Sequence, residues 1–161
     1  MLEPVAALVD EGLADPALIA VTGYIYGGFM SCWLSALSEI FAAVVPGGMV
    51  CDLHSMAGTS DEGQAITELE VGGKDRLTAC SPTTYVDAVR APTLILHGAA
   101  DDRCPAGQAE QWFQALETRG VPVRMVLYPE ASHLFILNGR PSHRTDYTRR
   151  LVDWVTAHTA A

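Results

Sequence analysis

The chain has 161 residues, 49% of them hydrophobic and 18% charged, and a formal net charge of −9. Such a composition buries a core and excludes a disordered segment, while the acidic balance and scattered basic residues argue against nucleic acid or an anionic membrane as partner. Apolar stretches such as Phe41 to Val45 fall far short of the roughly 20 residues that cross a bilayer.

Pro4 to Leu13 reads as a helix, with Pro4 in its first turn and Val5, Leu8 and Val9 as its apolar stripe. Gly12 and Asp15-Pro16 end it. Leu18 to Thr22 is a short continuous apolar run, the mark of a buried parallel strand. After a glycine-rich turn, Gly28 to Ser38 reads as a helix with Met30, Trp33, Leu34 and Leu37 on one face. Phe41 to Val45 is a second strand, ended by Pro46-Gly47-Gly48. Met49 to Pro82 is irregular, with one or two short helices near Gln64 to Leu69 and around Asp75. Tyr85 to Val89 is a helical turn, Thr93 to Leu96 a third strand, and Pro105 to Arg119 an amphipathic helix stopped by Gly120. Val123 to Tyr128 is the fourth strand, and His143 to His158 the closing helix, with Tyr147, Leu151, Trp154 and Val155 facing inward. Strands alternating with crossover helices predict an open, mostly parallel α/β sheet of about four strands with flanking helices.

The four cysteines, Cys32, Cys51, Cys80 and Cys104, form no CxxC pair and no metal-type spacing with the five histidines, so they read as free buried thiols and no metal site is expected. No cofactor is expected either: the glycines of Gly23 to Gly28 lack the acidic residue that a dinucleotide fingerprint places after the following strand. Met1-Leu2-Glu3-Pro4 has neither the basic nor the apolar part of a secretion signal, which leads to the expectation of a cytoplasmic protein.

Ligands of open α/β sheets bind beyond the C-terminal ends of the strands, and three motifs sit there. Gly23-Tyr24-Ile25-Tyr26-Gly27 has the strand, turn and helix context and the glycine spacing of the G-x-S-x-G nucleophile elbow, against the plainer reading of an ordinary strand–helix turn. At its centre stands Ile25, which has no lone pair with which to attack a carbonyl. Asp101 follows the third strand, as a triad acid would, or as a cap before Pro105. His133 lies in the loop after the fourth strand. The order elbow, Asp, His is that of α/β-hydrolases, and each member lies at a strand end, which favours a shared site over three unrelated turns.

With these motifs the chain resembles prolyl-oligopeptidase-type serine peptidases, the acylaminoacyl-peptidase branch above all. Thr22-Gly23 and Tyr26-Gly27-Gly28-Phe29-Met30 resemble that branch's T-G-G-S-Y-G-G-F-M elbow. Gly58-Thr59-Ser60-Asp61 resembles G-T-S-D, and Leu69 to Gly73 resembles E-L-G-G. His97-Gly98, Asp101 and Arg103-Cys104-Pro105 resemble H-G-x-x-D-x-R-C-P. Ser81-Pro82 before the third strand, Gly139-Arg140-Pro141, His143-Arg144 and Val152-Asp153-Trp154 extend the match over nearly the whole chain. The resemblance implies the C-terminal half of an α/β-hydrolase domain, a truncated form of that fold. It implies Asp101 as triad acid, His133 as triad base, and the Tyr26 N–H as one oxyanion-hole donor, with Tyr24 and Ile25 beside it in the pocket. Two departures stand out, Ile25 in place of the nucleophile and Leu134 in place of a glycine, and the match leads to the further expectation of a domain without the family's first strands, their oxyanion donor and the β-propeller.

These residues lead to three functional expectations. The first is a repurposed enzyme in which Asp101–His133 acts as a general base on a small apolar substrate, in isomerisation, elimination or cyclisation. The second is a catalytically dead binding or regulatory module. The third is residual peptidase or esterase activity through another nucleophile; Ser31 and Cys32 lie too far along the helix for that, and Tyr24 and Tyr26 are poor nucleophiles at neutral pH. Arg103 and Arg144 read as partners of surface acids, and Asp61 and Glu62 as residues near the pocket. The edge of the Leu18–Thr22 strand predicts a homodimer, or a partner chain that supplies the missing half.

Overall fold

A computed structural model describes residues 2–160. Four parallel strands, β1 (Ile19–Tyr24), β2 (Phe41–Gly47), β3 (Thr93–Gly98) and β4 (Val123–Tyr128), form one sheet in the order β1-β2-β3-β4. The eight helices are α1 (Glu3–Asp10), α2 (Tyr26–Leu37), α3 (Leu53–Thr59), α4 (Gly63–Leu69), α5 (Leu77–Cys80), α6 (Ala106–Thr118), α7 (Phe135–Asn138) and α8 (Pro141–Thr159), with tighter 3-10 turns at Lys74–Arg76 and Pro82–Ala88.

Alternate side chains of the strands feed two layers, as the period of two requires. Ile95 joins Cys32 and Ala36 of α2 and Ala109, Trp112 and Leu116 of α6 on one face. Its neighbours Leu94 and Leu96 join Val45, Tyr128, Phe135 and Tyr147 on the other, under α8. Near the C-terminal end of the sheet, Val50, Leu53, Met56, Val71, Leu77 and Cys104 form a further cluster that anchors α3 to α5, with Phe29 packed against it.

The structure departs from the sequence reading in several places. β1, read as a buried strand, has no fully buried residue, and α1 ends at Asp10 with Leu8 of its expected stripe exposed. β2 runs on through Pro46 to Gly47, although Pro46 has no N–H to give a ladder. It is tolerated because the β2–β3 pairing passes from Val44↔Thr93 to Gly47↔Leu96 and bridges nothing between them. The buried face of α2 is Gly28, Ser31, Cys32, Ser35 and Ala36, not the large apolar residues, and Leu37 is 56% exposed. Small side chains are what allow the helix to lie close on the sheet. The irregular stretch contains α3, which Asp52 caps by accepting from the His54 N–H at 2.9 Å, and α5. Cys32, Cys51 and Cys104 are buried free thiols, but Cys80 is only half-buried. No helix among the described residues is long and apolar enough to cross a membrane.

Candidate active site

β1 leaves the sheet at Tyr24, and α2 starts at Tyr26. The whole reversal is made at Ile25, whose backbone stands at φ 61, ψ −116. A β-branched residue at positive φ is an outlier, and a strained strand-to-helix turn of this kind is what lifts the central residue of a nucleophile elbow clear of the sheet. Two close approaches hold the turn. A Cβ on Gly23 would collide with the backbone of Gly27, and one on Gly28 with the carbonyl oxygen of Gly47. The Ile25 N–H donates to the Gly47 carbonyl at 3.1 Å. Ile25 is 39% exposed and Tyr26 69%. As the first residue of α2, Tyr26 holds one of the amides that no carbonyl of the helix satisfies. Ser31 is buried and donates back to the Gly27 carbonyl at 2.8 Å, so its hydroxyl is committed within the helix.

Asp101 and His133 come together from the ends of β3 and β4. His133 Nδ1 lies 2.8 Å from Oδ2 and 3.0 Å from Oδ1 of Asp101. Two backbone amides fix the carboxylate: Arg103 N donates to Oδ1 at 3.0 Å and Cys104 N at 2.8 Å. Asp101 is therefore both a turn-capping residue and a hydrogen-bond partner of His133. The carboxylate is buried, while the His133 side chain keeps 15% of its surface open. The His133 loop is tied to the end of β3 by Ala100 N donating to Ala131 O at 3.0 Å. A Cβ on Gly98 would run into that same carbonyl. Leu134, next in the chain, is 41% exposed.

Three further residues surround this pair. His97, fully buried, brings Nε2 to 2.7 Å from the Cys104 carbonyl and so braces the Asp101–Cys104 turn. Burial holds its imidazole below the ordinary histidine range. Burial also pushes the Cys104 thiol up to about 12, which makes it a poor nucleophile. Tyr24, expected only as a pocket residue, donates its hydroxyl to the His133 carbonyl at 2.6 Å. No local pattern in the sequence announces a bond between residues 109 positions apart.

Arg103 pairs with acids, as expected of it. Its guanidinium meets Asp61 at 2.7 and 3.2 Å and Glu62 at 3.1 Å, and Arg103, first among the causes, holds the Asp61 carboxyl below the usual range. Ser60 Oγ donates to the Arg103 carbonyl at 2.7 Å, which joins the α3–α4 loop to the Asp101 loop. Ser60, Asp61, Glu62 and Glu68 line an acidic cavity of about 580 Å³. A larger groove of about 970 Å³ lies at β4 between Phe113, Arg124 and Trp154. Neither is lined by Ile25 or His133.

Comparisons with known proteins bear on the family and the fold. The chain is 35% identical to the uncharacterized peptidase YuxL of Bacillus subtilis, over 97% of this chain and 25% of that protein. It is 31% identical to the human acylamino-acid-releasing enzyme, over 80% of this chain and 19% of that one. Among solved structures, the Pyrococcus horikoshii acylaminoacyl peptidase superposes with a TM-score of 0.91 at 26% identity, covering 97% of this chain and 26% of its own. The chain thus spans about a quarter of the length of the relatives it matches. The family model described as "Prolyl oligopeptidase family" matches residues 1–161, and the chain belongs to that family.

Proposed function

We propose that this chain carries the acid/base part of a peptidase-like site without its nucleophile, and that His133, held by Asp101, works as a general base on a small apolar molecule. The observation that carries this reading is the contact of His133 Nδ1 with both oxygens of a carboxylate already fixed by two backbone amides. That contact places the hydrogen on Nδ1, so Nε2 is left with its lone pair as the proton acceptor. At the turn where an elbow presents its nucleophile, Ile25 presents a branched hydrocarbon. It cannot form an acyl-enzyme, but it offers an apolar surface to a substrate. Proton abstraction from an acidic C–H, as in isomerisation, elimination or cyclisation, needs only the base and a place for the substrate.

The test is base-catalysed ring opening of 5-nitrobenzisoxazole, a small apolar C–H acid. Turnover should exceed that of His133→Ala by on the order of a hundredfold, the usual contribution of a positioned base. Equal rates would overturn the reading. They would favour the second one, a binding module on a peptidase scaffold, for which the observation is that the two cavities described above leave out both Ile25 and His133.

A further inference from the structure

The family's elbow pattern has glycine and serine where this chain has Tyr24 and Ile25. The two changes are adjacent, and the first adds a side chain with a definite destination. Tyr24 is the last residue of β1. Its ring lies against Gly47 and Gly48, where any Cβ would strike it. It meets Tyr147 edge-on at 6.0 Å and Phe135 at 6.4 Å, and sits tilted beside the His133 ring at 5.9 Å. From that position the hydroxyl donates to the His133 carbonyl at 2.6 Å. Burial, with the charge of Asp101 adding to it, raises the phenol far above its ordinary value, so it remains a donor at any physiological pH.

His133 has two attachments of different kinds. Asp101 holds the ring through Nδ1. The backbone sits in a loop, and loops are the more mobile parts of a fold. Tyr24 binds that backbone at the histidine itself, from the end of the strand that leads into the turn at Ile25. A glycine at this position could do neither thing, because it has no hydroxyl to donate and no ring to fill the space over Gly47 and Gly48.

We propose that Tyr24 is a positioning residue, a strut from β1 that fixes the depth and orientation of His133 relative to the turn at Ile25. The proposal rests on reading His133 as the base, yet the strut can be measured without any substrate. Tyr24→Phe keeps the ring and removes only the donor. In histidine-labelled protein the Nδ1–H of His133, held by Asp101, gives a resonance whose exchange with water reports how often that pair opens. In Tyr24→Phe this exchange should speed up by about tenfold, the factor that one net hydrogen bond supplies, with the circular dichroism spectrum unchanged. Tyr24→Leu, which removes the ring as well, should speed it further. Exchange unchanged in Tyr24→Phe would overturn the strut, whatever the outcome with 5-nitrobenzisoxazole. Faster exchange in a protein that opens no ring would uphold the strut and dismiss the catalytic reading. A variant that loses its fold shows in the dichroism, and the decision then passes to Tyr24→Trp, which keeps a ring and an N–H donor: exchange slower than in Tyr24→Leu upholds the strut, and equal exchange overturns it.

Discussion

The buried imidazole of His97 stands 3.6 Å from the carboxylate of Asp101, and the same oxygen receives His133 Nδ1 at 2.8 Å. The two histidines are not equivalent partners. His97 Nε2 already points at the Cys104 carbonyl at 2.7 Å, so that nitrogen carries the hydrogen, and Nδ1 has no partner among the described residues. Burial keeps the ring neutral, so its approach to Asp101 is not an ion pair. A buried neutral histidine beside a carboxylate can brace the turn without competing for the proton that His133 would move.

This arrangement makes stability depend on pH in a definite direction. The folded-state pKa of His97 lies below the unfolded value of about 6.5. Between the two values the unfolded chain binds more protons, so stability rises with pH there and is lost as pH falls below about 6.5 toward the folded value. Urea midpoints at pH 7.5 and 5.5 should show this loss, and His97→Gln, which keeps a donor for Cys104, should show a smaller one. The same loss in both proteins would count against His97 as its source.

Placing a hydroxyl at the turn tests whether that turn can present a nucleophile. In Ile25→Ser the turn at φ 61 would present a serine oxygen one residue past Tyr24, whose hydroxyl donates to the His133 carbonyl. A fluorophosphonate should then give a covalent adduct visible by intact mass: the serine oxygen bonds to phosphorus, fluoride leaves, and His133 takes the proton. The wild-type chain should give none, and adding His133→Ala to the variant should slow labelling by on the order of a hundredfold. Labelling of the wild type at the same rate would mean that another residue is the nucleophile.

Much of this site is legible in the sequence because its parts are local. The apolar run of β1, the short strands β3 and β4, the glycines around Ile25 and the order of Asp101 and His133 are all readable within a few residues. What escapes is what tertiary context decides. Pro46 lies within β2 only because the neighbouring ladder has a gap beside it. Helix α2 turns its small residues inward, since closeness to the sheet counts for more there than the area of Trp33 or Leu37. The Tyr24–His133 bond joins chain segments that meet only after the sheet has formed.

The closeness of α2 has a measurable cost when disturbed. A Cβ at Gly28 would collide with the Gly47 carbonyl and press on Met49, both of them rigid parts of the core. Gly28→Ala should therefore destabilise the chain by about 1–3 kcal/mol, as overpacking does, despite the gain of about 1 kcal/mol in helix propensity. Gly27→Ala, one residue earlier and with open space at its Cβ, is the control and should be neutral or stabilising. Equal effects in urea unfolding would show that the contact with Gly47 is not what fixes the helix.

The remaining prediction concerns the free side of the sheet. Among the described residues β1 pairs only with β2, so one edge of Ile19–Tyr24 offers its backbone N–H and C=O groups to another strand. Ile19, Ala20 and Val21 are half-buried on it, with no charged residue to blunt the edge. For the 161-residue chain by itself, we expect a homodimer in which two β1 strands pair antiparallel across a two-fold axis. Light scattering at micromolar concentration should give twice the chain mass of 17.2 kDa. Thr22→Lys, a charge placed at the exposed position of this strand, should return the protein to monomer. A wild-type monomer would overturn the pairing. So would a dimer that survives Thr22→Lys, since the interface would then lie elsewhere, with the other free edge at β4 and its groove beside Arg124 and Trp154 the place to look.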